Sequence, residues 1–338
     1  MSYMNKGLDR DTCLAITGLT KNQFYYTPTG TKKGKVASKN TPWRDPSTQI
    51  LYEISNEDVV DKIVALKLDP DQTNWYRMIS VNLNLQGFYI NHKKVYRLMK
   101  EYQLLELPRK KVGRTFVKYR RVNPGAPLRV LEMDIKYVYV SAAKKYAFVL
   151  TVIDTFTRYV LHWTVGYRMR SEQVRDVWEY VISQYLQPAN LLTQGIDIEI
   201  RNDNGKQFTA KKIMEFFKEN KLNQVFTHPY TPEENGHVES FHSIIGKSMR
   251  NDNFESLKEL EHRLAQFYTR YNNDRNHGST LGVPPAKFWS LHELDKIKVI
   301  PLGKRRTKFK LKVALQDVLT LPEIDKYKYP LGSLTATG

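Results

Sequence analysis

Cysteine is almost missing from this chain. Cys13 is the only one in 338 residues, which excludes an intrachain disulfide framework and a cysteine-based zinc knuckle. That usage fits a reducing cytoplasm. Acidic residues are also scarce: 35 Asp and Glu stand against 53 Lys and Arg, a formal net charge of +18. Such an excess points to a polyanionic partner bound through salt-sensitive counterion release. No N-terminal apolar stretch resembles a signal peptide, and no run of about 18 apolar residues is long enough to cross a membrane. No His-Glu-x-x-His is present, nor any internal repeat or heptad zipper.

What is present falls into segments. Residues 1–27 read as a short helical, helix-turn-helix-like unit, with a turn at Gly18 and Thr20 as a cap. Residues 28–50, rich in Lys, Gly, Thr, Ser and Pro, read as a linker. Residues 51–107 read as a helix-turn-helix DNA-binding domain. Its first helix ends at Asp69-Pro70, its second stops at Gly87, and Asn91 caps the third. On that third helix Lys93, Arg97 and Lys100 form one stripe, with Lys94 beside it, all assigned to DNA. A small bundle with a solvated basic face is the blander alternative. From Lys93 to Arg121 eleven Lys or Arg face only Glu101 and Glu106, and residues 108–126 form a basic connector. Residues 127–290 follow the order βββαβαβαα, and residues 291–338 are a basic tail with no assignable fold.

Three acids stand out in the 127–290 segment. Asp134 lies in the strand-like Glu132-Met133-Asp134-Ile135, Asp203 in Asn202-Asp203-Asn204-Gly205, and Glu239 in the helical Gly236-His237-Val238-Glu239. The interval between Asp203 and Glu239 is 35 residues. Three carboxylates converging from two strands and one helix make a cage for two hard divalent cations, the arrangement that drives in-line displacement at phosphorus. Asp154, at a strand end, reads as a turn residue rather than a fourth ligand.

These stretches resemble the DDE transposases and retroviral-type integrases, and more closely the OrfB-type transposases of the IS-three insertion-sequence group. Further matching residues are Val152-Ile153-Asp154 with Thr157-Arg158, Pro229-Tyr230-Thr231-Pro232 with Asn235-Gly236, and Tyr271-Asn272 with Arg275, His277 and Pro285. The resemblance covers about residues 8 to 290. It implies a multidomain protein: α-helical helix-turn-helix units, then an α/β ribonuclease-H-like catalytic domain with a five-stranded mixed sheet and flanking helices. It implies Asp134, Asp203 and Glu239 as catalytic residues and metal ligands, with two Mg²⁺ per site and Mn²⁺ as a substitute. It also implies strand cleavage and transfer on terminal inverted repeats and target DNA, in a bacterial cytoplasm. A homo-oligomer on DNA and an upstream OrfA-type partner are further implied.

The chain departs from the group's pattern at three places. Leu131 replaces a usual Trp, Lys136 a common Thr, and Gly246 the usual Lys seven residues after the glutamate. Continued helical rotation of about 100° per residue returns Arg250 to the direction of Glu239, so Arg250, with Lys247, is expected to meet DNA phosphate. The missing lysine also leaves room for an inactive copy. His237 and His242 flank Glu239, but without a Pro-Cys-x-x-Cys they are not a deaminase zinc site; a DNA-facing or structural role is expected. Two other functions stay open at this point: a non-catalytic helix-turn-helix regulator, and a ribonuclease-H-like nuclease without joining activity.

Overall fold

A computed structural model of the protein describes residues 4–26, 37–73, 75–106, 122–228, 232–302, 307–315 and 317–318. It divides into two units, residues 1–39 and 40–338. In the first, α1 (Arg10–Thr17) and α2 (Lys21–Phe24) are set by capping. Asp9 accepts from the amides of Asp11 and Thr12, Gly18 ends α1 at φ 65°, and Thr20 with Gln23 closes a capping box. Neither helix buries a residue. The expected turn and cap are there, but the two helices form no core of their own.

The second unit begins with an element the sequence reading assigned to linker. Strands β1 (Asn40–Arg44) and β2 (Leu51–Ser55) pair antiparallel. Trp43 is the reason: its indole packs on Phe88 and its Nε1 donates to the carbonyl of Gln86 at 2.8 Å. Gly87 is required at this junction. Its φ is +93°, and a Cβ there would meet the carbonyl oxygen of Arg44 at 2.2 Å. Helices α3 (Asn56–Leu68), α4 (Tyr76–Leu85) and α5 (His92–Glu101) follow. Val60, Ile63, Ile79, Leu83, Val95 and Leu98 close their shared core. Asn91 caps α5 by accepting from the amide of Lys93, as its position predicted.

Next come β3 (Val130–Val140), β4 (Lys145–Asp154), β5 (Val160–Gly166), α6 (Ser171–Val181), β6 (Ile198–Asn202), α7 (Lys206–Thr209), α8 (Lys211–Glu219) and β7 (Leu222–Phe226). The sheet order is β5-β4-β3-β6-β7. β3, β4 and β5 run antiparallel, whereas β6 and β7 run parallel to β3. The five-stranded mixed sheet with flanking helices is therefore as expected. Helices α9 (Gly236–Ser248), α10 (Leu257–Asn273) and α11 (Pro285–Glu293) complete the order. Alternate residues of β3 point to opposite faces: Met133 meets Trp178 of α6, while Glu132 meets the start of α9. The stripe Leu260, Leu264, Phe267 and Tyr271 of α10 is core. Asn272 fixes α10 to the edge strand, exchanging two 2.9 Å hydrogen bonds with the backbone of Val160.

Part of the tail without an assigned fold is a second hairpin, β8 (Ile297–Pro301) with β9 (Thr307–Leu311). Ile297 packs with Phe156, Phe288 and Leu291 in a separate core. Lys304 to Arg306, most of the basic connector and Pro229 to Thr231 lie outside the described residues.

The segment between α3 and α4 docks onto α10 through ions. Asp71, 3% exposed, accepts from Arg263 at 2.9 Å and from Arg270 at 2.8 Å, and Ser248 donates to it as well. Burial alone would raise its carboxyl. The hydrogen bonds from Arg263 and Ser248 and the charges of Arg263 and Arg270 outweigh that and hold it below the usual range. Asp69 pairs with Arg270, and Thr73 donates to the carbonyl of Asn276. The three-helix domain and the sheet domain are thus tied together. Among the described residues no helix is long and apolar enough to cross a membrane.

Candidate active site

Asp134 and Asp203 are brought together by strand register. β3 and β6 are parallel neighbours with Glu132 opposite Arg201, so two residues further along each chain Asp134 faces Asp203 across the same face. Asp134 is half-buried and Asp203 exposed. Partial desolvation raises the Asp203 carboxyl and the charge of Asp134 raises it further, against the lowering effect of the Gly205 amide that donates to it. A carboxylate whose ionisation is disfavoured by a neighbouring one marks a site where a cation is stabilising.

Helix α9 lies along this face, and the match is periodic. The amides of His237 and Val238 donate to Glu132, each at 2.9 Å. His242 Nδ1 stands 3.2 Å from Asp134. A Cβ on Gly246 would stand 3.6 Å from Nζ of Lys136. Two residues of strand advance about 6.6 Å and four of helix about 6 Å, so every second β3 residue meets about every fourth α9 residue. Glu239 opens this helix and is exposed.

Glu132 escaped the sequence reading. It is fully buried, accepts both backbone N–H groups at the N-terminus of α9, and has His237 Nδ1 2.6 Å from its other oxygen. It performs the work of an N-cap from a neighbouring strand. A detectable signal was there: a glutamate in an apolar run, two residues before Asp134 and so on the same face. Asn235 also ties the helix entry to β3, donating to the Met133 carbonyl at 3.3 Å. Arg201 adds a third tie through the Glu234 carbonyl. His237 is therefore structural, one of the two roles expected for it.

Asp154 is a turn residue. Wholly buried, it accepts from the amides of Leu128 and Thr157 and from the Thr157 hydroxyl. Two sequence arguments about cations meet a different local geometry. Helix α9 ends at Ser248, so the rotation that aligned Arg250 with Glu239 does not reach it; Arg250 lies in the following turn. Lys94 does not join the basic stripe: half-buried, it donates to the carbonyl of Asn40 on β1 at 2.6 Å. Lys93, Lys100 and Lys247 are exposed, and Arg97 pairs with Glu101 at 3.3 Å.

The carboxylate oxygens of Asp134 and Asp203 suit a hard divalent ion in donor type. Among the described residues, however, no three His, Cys, Asp or Glu side chains are close enough to hold a metal. The three-acid cage expected from the sequence is not among the groupings the described residues make.

Comparison with known proteins places this arrangement. Residues 124–232 and 220–285 match the integrase core domain, and residues 57–112 match an HTH-like domain. Over 215 residues the chain is 27% identical to an uncharacterized 39.2 kDa protein of insertion element IS476 from Xanthomonas euvesicatoria, covering 63% of this chain and 59% of that protein. Over 260 residues it is 24% identical to the transposase for insertion sequence element IS904 from Lactococcus lactis, covering 72% of this chain and 97% of the relative. The catalytic core of HTLV-2 integrase, solved with magnesium, aligns at 19% identity and a TM-score of 0.35, covering 48% of this chain and 97% of that one. The two matched domains, an integrase core behind an HTH-like domain, support a polynucleotidyl transferase, although the chain spans about 59% of the length of the first of these relatives. Together with the insertion-sequence relatives, these matches support a DDE transposase of the IS-three type.

Proposed function

We propose that the protein binds the terminal inverted repeats of its element and uses Asp134, Asp203 and Glu239 to cleave and join DNA strands. The observation that carries this reading is the register that sets Asp134 opposite Asp203, whose ionisation the Asp134 charge disfavours, beneath the helix that bears Glu239. Asp134 and Asp203 would hold Mg²⁺ or Mn²⁺, with Glu239 completing the ligand set. When bound, the metal supplies Lewis-acid activation of the attacking oxygen and relief of charge on the leaving one.

The chain's own residues prepare the site. Glu132, Asn235 and Arg201 fix the entry of α9, and so the height of Glu239 above the sheet. His242 Nδ1, beside Asp134, restricts how that carboxylate turns. Lys93, Arg97 and Lys100 of α5, with Lys247 and Arg250, supply positive charge for phosphates, and the strand's 3′-OH is the second nucleophile. Two DNA ends require two active sites, so we place a homo-oligomer on the DNA, with an OrfA-type protein as a further partner.

The test is cleavage and joining of terminal-repeat DNA by Asp134→Asn, Asp203→Asn and Glu239→Gln, with Mn²⁺-induced thermal shift as a second readout. Each variant should lose at least a hundredfold in joining while keeping its circular dichroism, and the two Asn variants should lose the thermal shift. Joining at wild-type rates by any one of them would remove that residue from the proposed site. Absence of metal-dependent cleavage by the wild-type protein would instead favour the non-catalytic regulator.

A further inference from the structure

Gly246 occupies an unusual place. It lies inside α9, where glycine costs about 1 kcal/mol relative to alanine, and it is not left-handed, so no turn requires it. Its missing side chain leaves a gap, and the nearest group across that gap is the ammonium of Lys136, 3.6 Å from where a Cβ would stand. Lys136 shares the strand face of Glu132 and Asp134. It is half-buried. Among the described residues it makes no hydrogen bond or contact ion pair.

A half-buried ammonium without a contact partner is costly unless an anion arrives. By helical phase Gly246 lies within about 20° of the direction of Glu239, about 10 Å further along the axis. The gap therefore opens beside the carboxylates, on the side where Glu239 projects.

We infer that Lys136 is a DNA-phosphate-binding residue at the active site, and that Gly246 is the notch through which the phosphate reaches it. This rests on the reading of Asp134, Asp203 and Glu239 given above. The phosphate belongs to the strand lying across α9, a short way from the reacting one, so Lys136 positions DNA rather than taking part in bond exchange. Removing the side chain at 246 and supplying a lysine from β3 are two halves of one arrangement.

The experiment is anisotropy of a fluorescein-labelled random-sequence duplex with the full chain in EDTA, across a salt series. One phosphate contact contributes about 0.9 to the slope of log affinity against log salt. Lys136→Gln should reduce the slope by that amount, Lys136→Arg should keep it, and Gly246→Lys placed in Lys136→Gln should restore it. Gly246→Gln separates this from a purely structural role: it should raise the melting temperature, glutamine being the better helix former, yet weaken DNA binding several-fold. An unchanged slope in Lys136→Gln, or unchanged affinity in Gly246→Gln, overturns the inference. Neither outcome bears on the carboxylates, because no metal or chemistry enters the measurement. Retention of joining by Asp203→Asn would instead sink the catalytic reading and leave the salt slopes untouched.

Discussion

Glu132→Ala tests whether the catalytic helix is held by a carboxylate from the sheet. In the native protein both oxygens are used: one accepts the amides of His237 and Val238 at 2.9 Å, and the other lies 2.6 Å from His237 Nδ1. Loss of an N-cap costs about 1 kcal/mol, up to about 2. Buried donors left without an acceptor add about 1–3 kcal/mol. The sum is about 2–5 kcal/mol, or roughly 4–20 °C in melting temperature at the scale of a domain of this size. Glu132→Gln separates hydrogen bonding from charge. Its carbonyl still accepts the two amides, so the losses are the interaction of an anion with the helix dipole, about 1 kcal/mol, and the oxygen that faces His237 Nδ1. The assays are urea unfolding at neutral pH and strand joining under conditions where both variants remain folded. Joining should fall more steeply in the alanine variant than its folded fraction explains, because α9 carries Glu239. A cost below about 1 kcal/mol for Glu132→Ala, with joining intact, would refute the idea that this residue sets the helix.

Three further outcomes follow from the same geometry. The Asp71 carboxyl is held below its ordinary range, so its stabilisation is complete above the unfolded value near pH 4 and is lost as pH falls through the folded value; Asp71→Asn should unfold more easily at pH 7 and show a shallower acid transition by urea titration. His162 is buried against the ring of Tyr180, and burial lowers it to about 4. With an unfolded value near 6.5, stability should fall by about 2.5 kcal/mol between pH 7 and 4.5 as the unfolded chain takes up the proton, and His162→Phe should remove that part of the slope. Lys93→Ala with Lys100→Ala should weaken binding of unrelated duplexes equally and reduce the salt slope by about 0.9 per lysine. Footprints and slopes unchanged from wild type would take α5 off the DNA.

The sheet domain was legible because its strands and helices obey their own periods. β3 to β7 and α9 to α10 lie where Val, Ile, Tyr and Leu alternate or recur, and the order βββαβαβαα is observed with the short α7 added before α8 and α11 after α10. The first hairpin was not legible. Asn40 to Arg44 has no alternation of its own and includes Pro42; it is a strand because Trp43 finds Phe88 and Gln86 more than forty residues away. The β8–β9 hairpin is similar, since Ile297 is buried in a cluster that includes the distant Phe156 and residues of α11. Sequence patterns report local periodicity, and these pairs are created by distant partners.

The acids of the candidate site were visible as residue types, yet their supports were not. Spacing could give Asp134, Asp203 and Glu239, but it could not show that Glu132 caps α9 or that Lys136 faces Gly246. Those contacts arise because four helical residues advance nearly as far as two strand residues, a coincidence of rises that exists only once helix and strand lie side by side. The same geometry explains why the rotation argument failed for Arg250. It assumed a helix two residues longer than the one that formed, since α9 ends at Ser248. On the β3–α9 alignment, a one-residue alanine insertion between Val238 and Ile245 should move Gly246 about 100° away from Lys136 and set Ile245 in its place. Such a variant should lose the phosphate contact even with every charged residue retained.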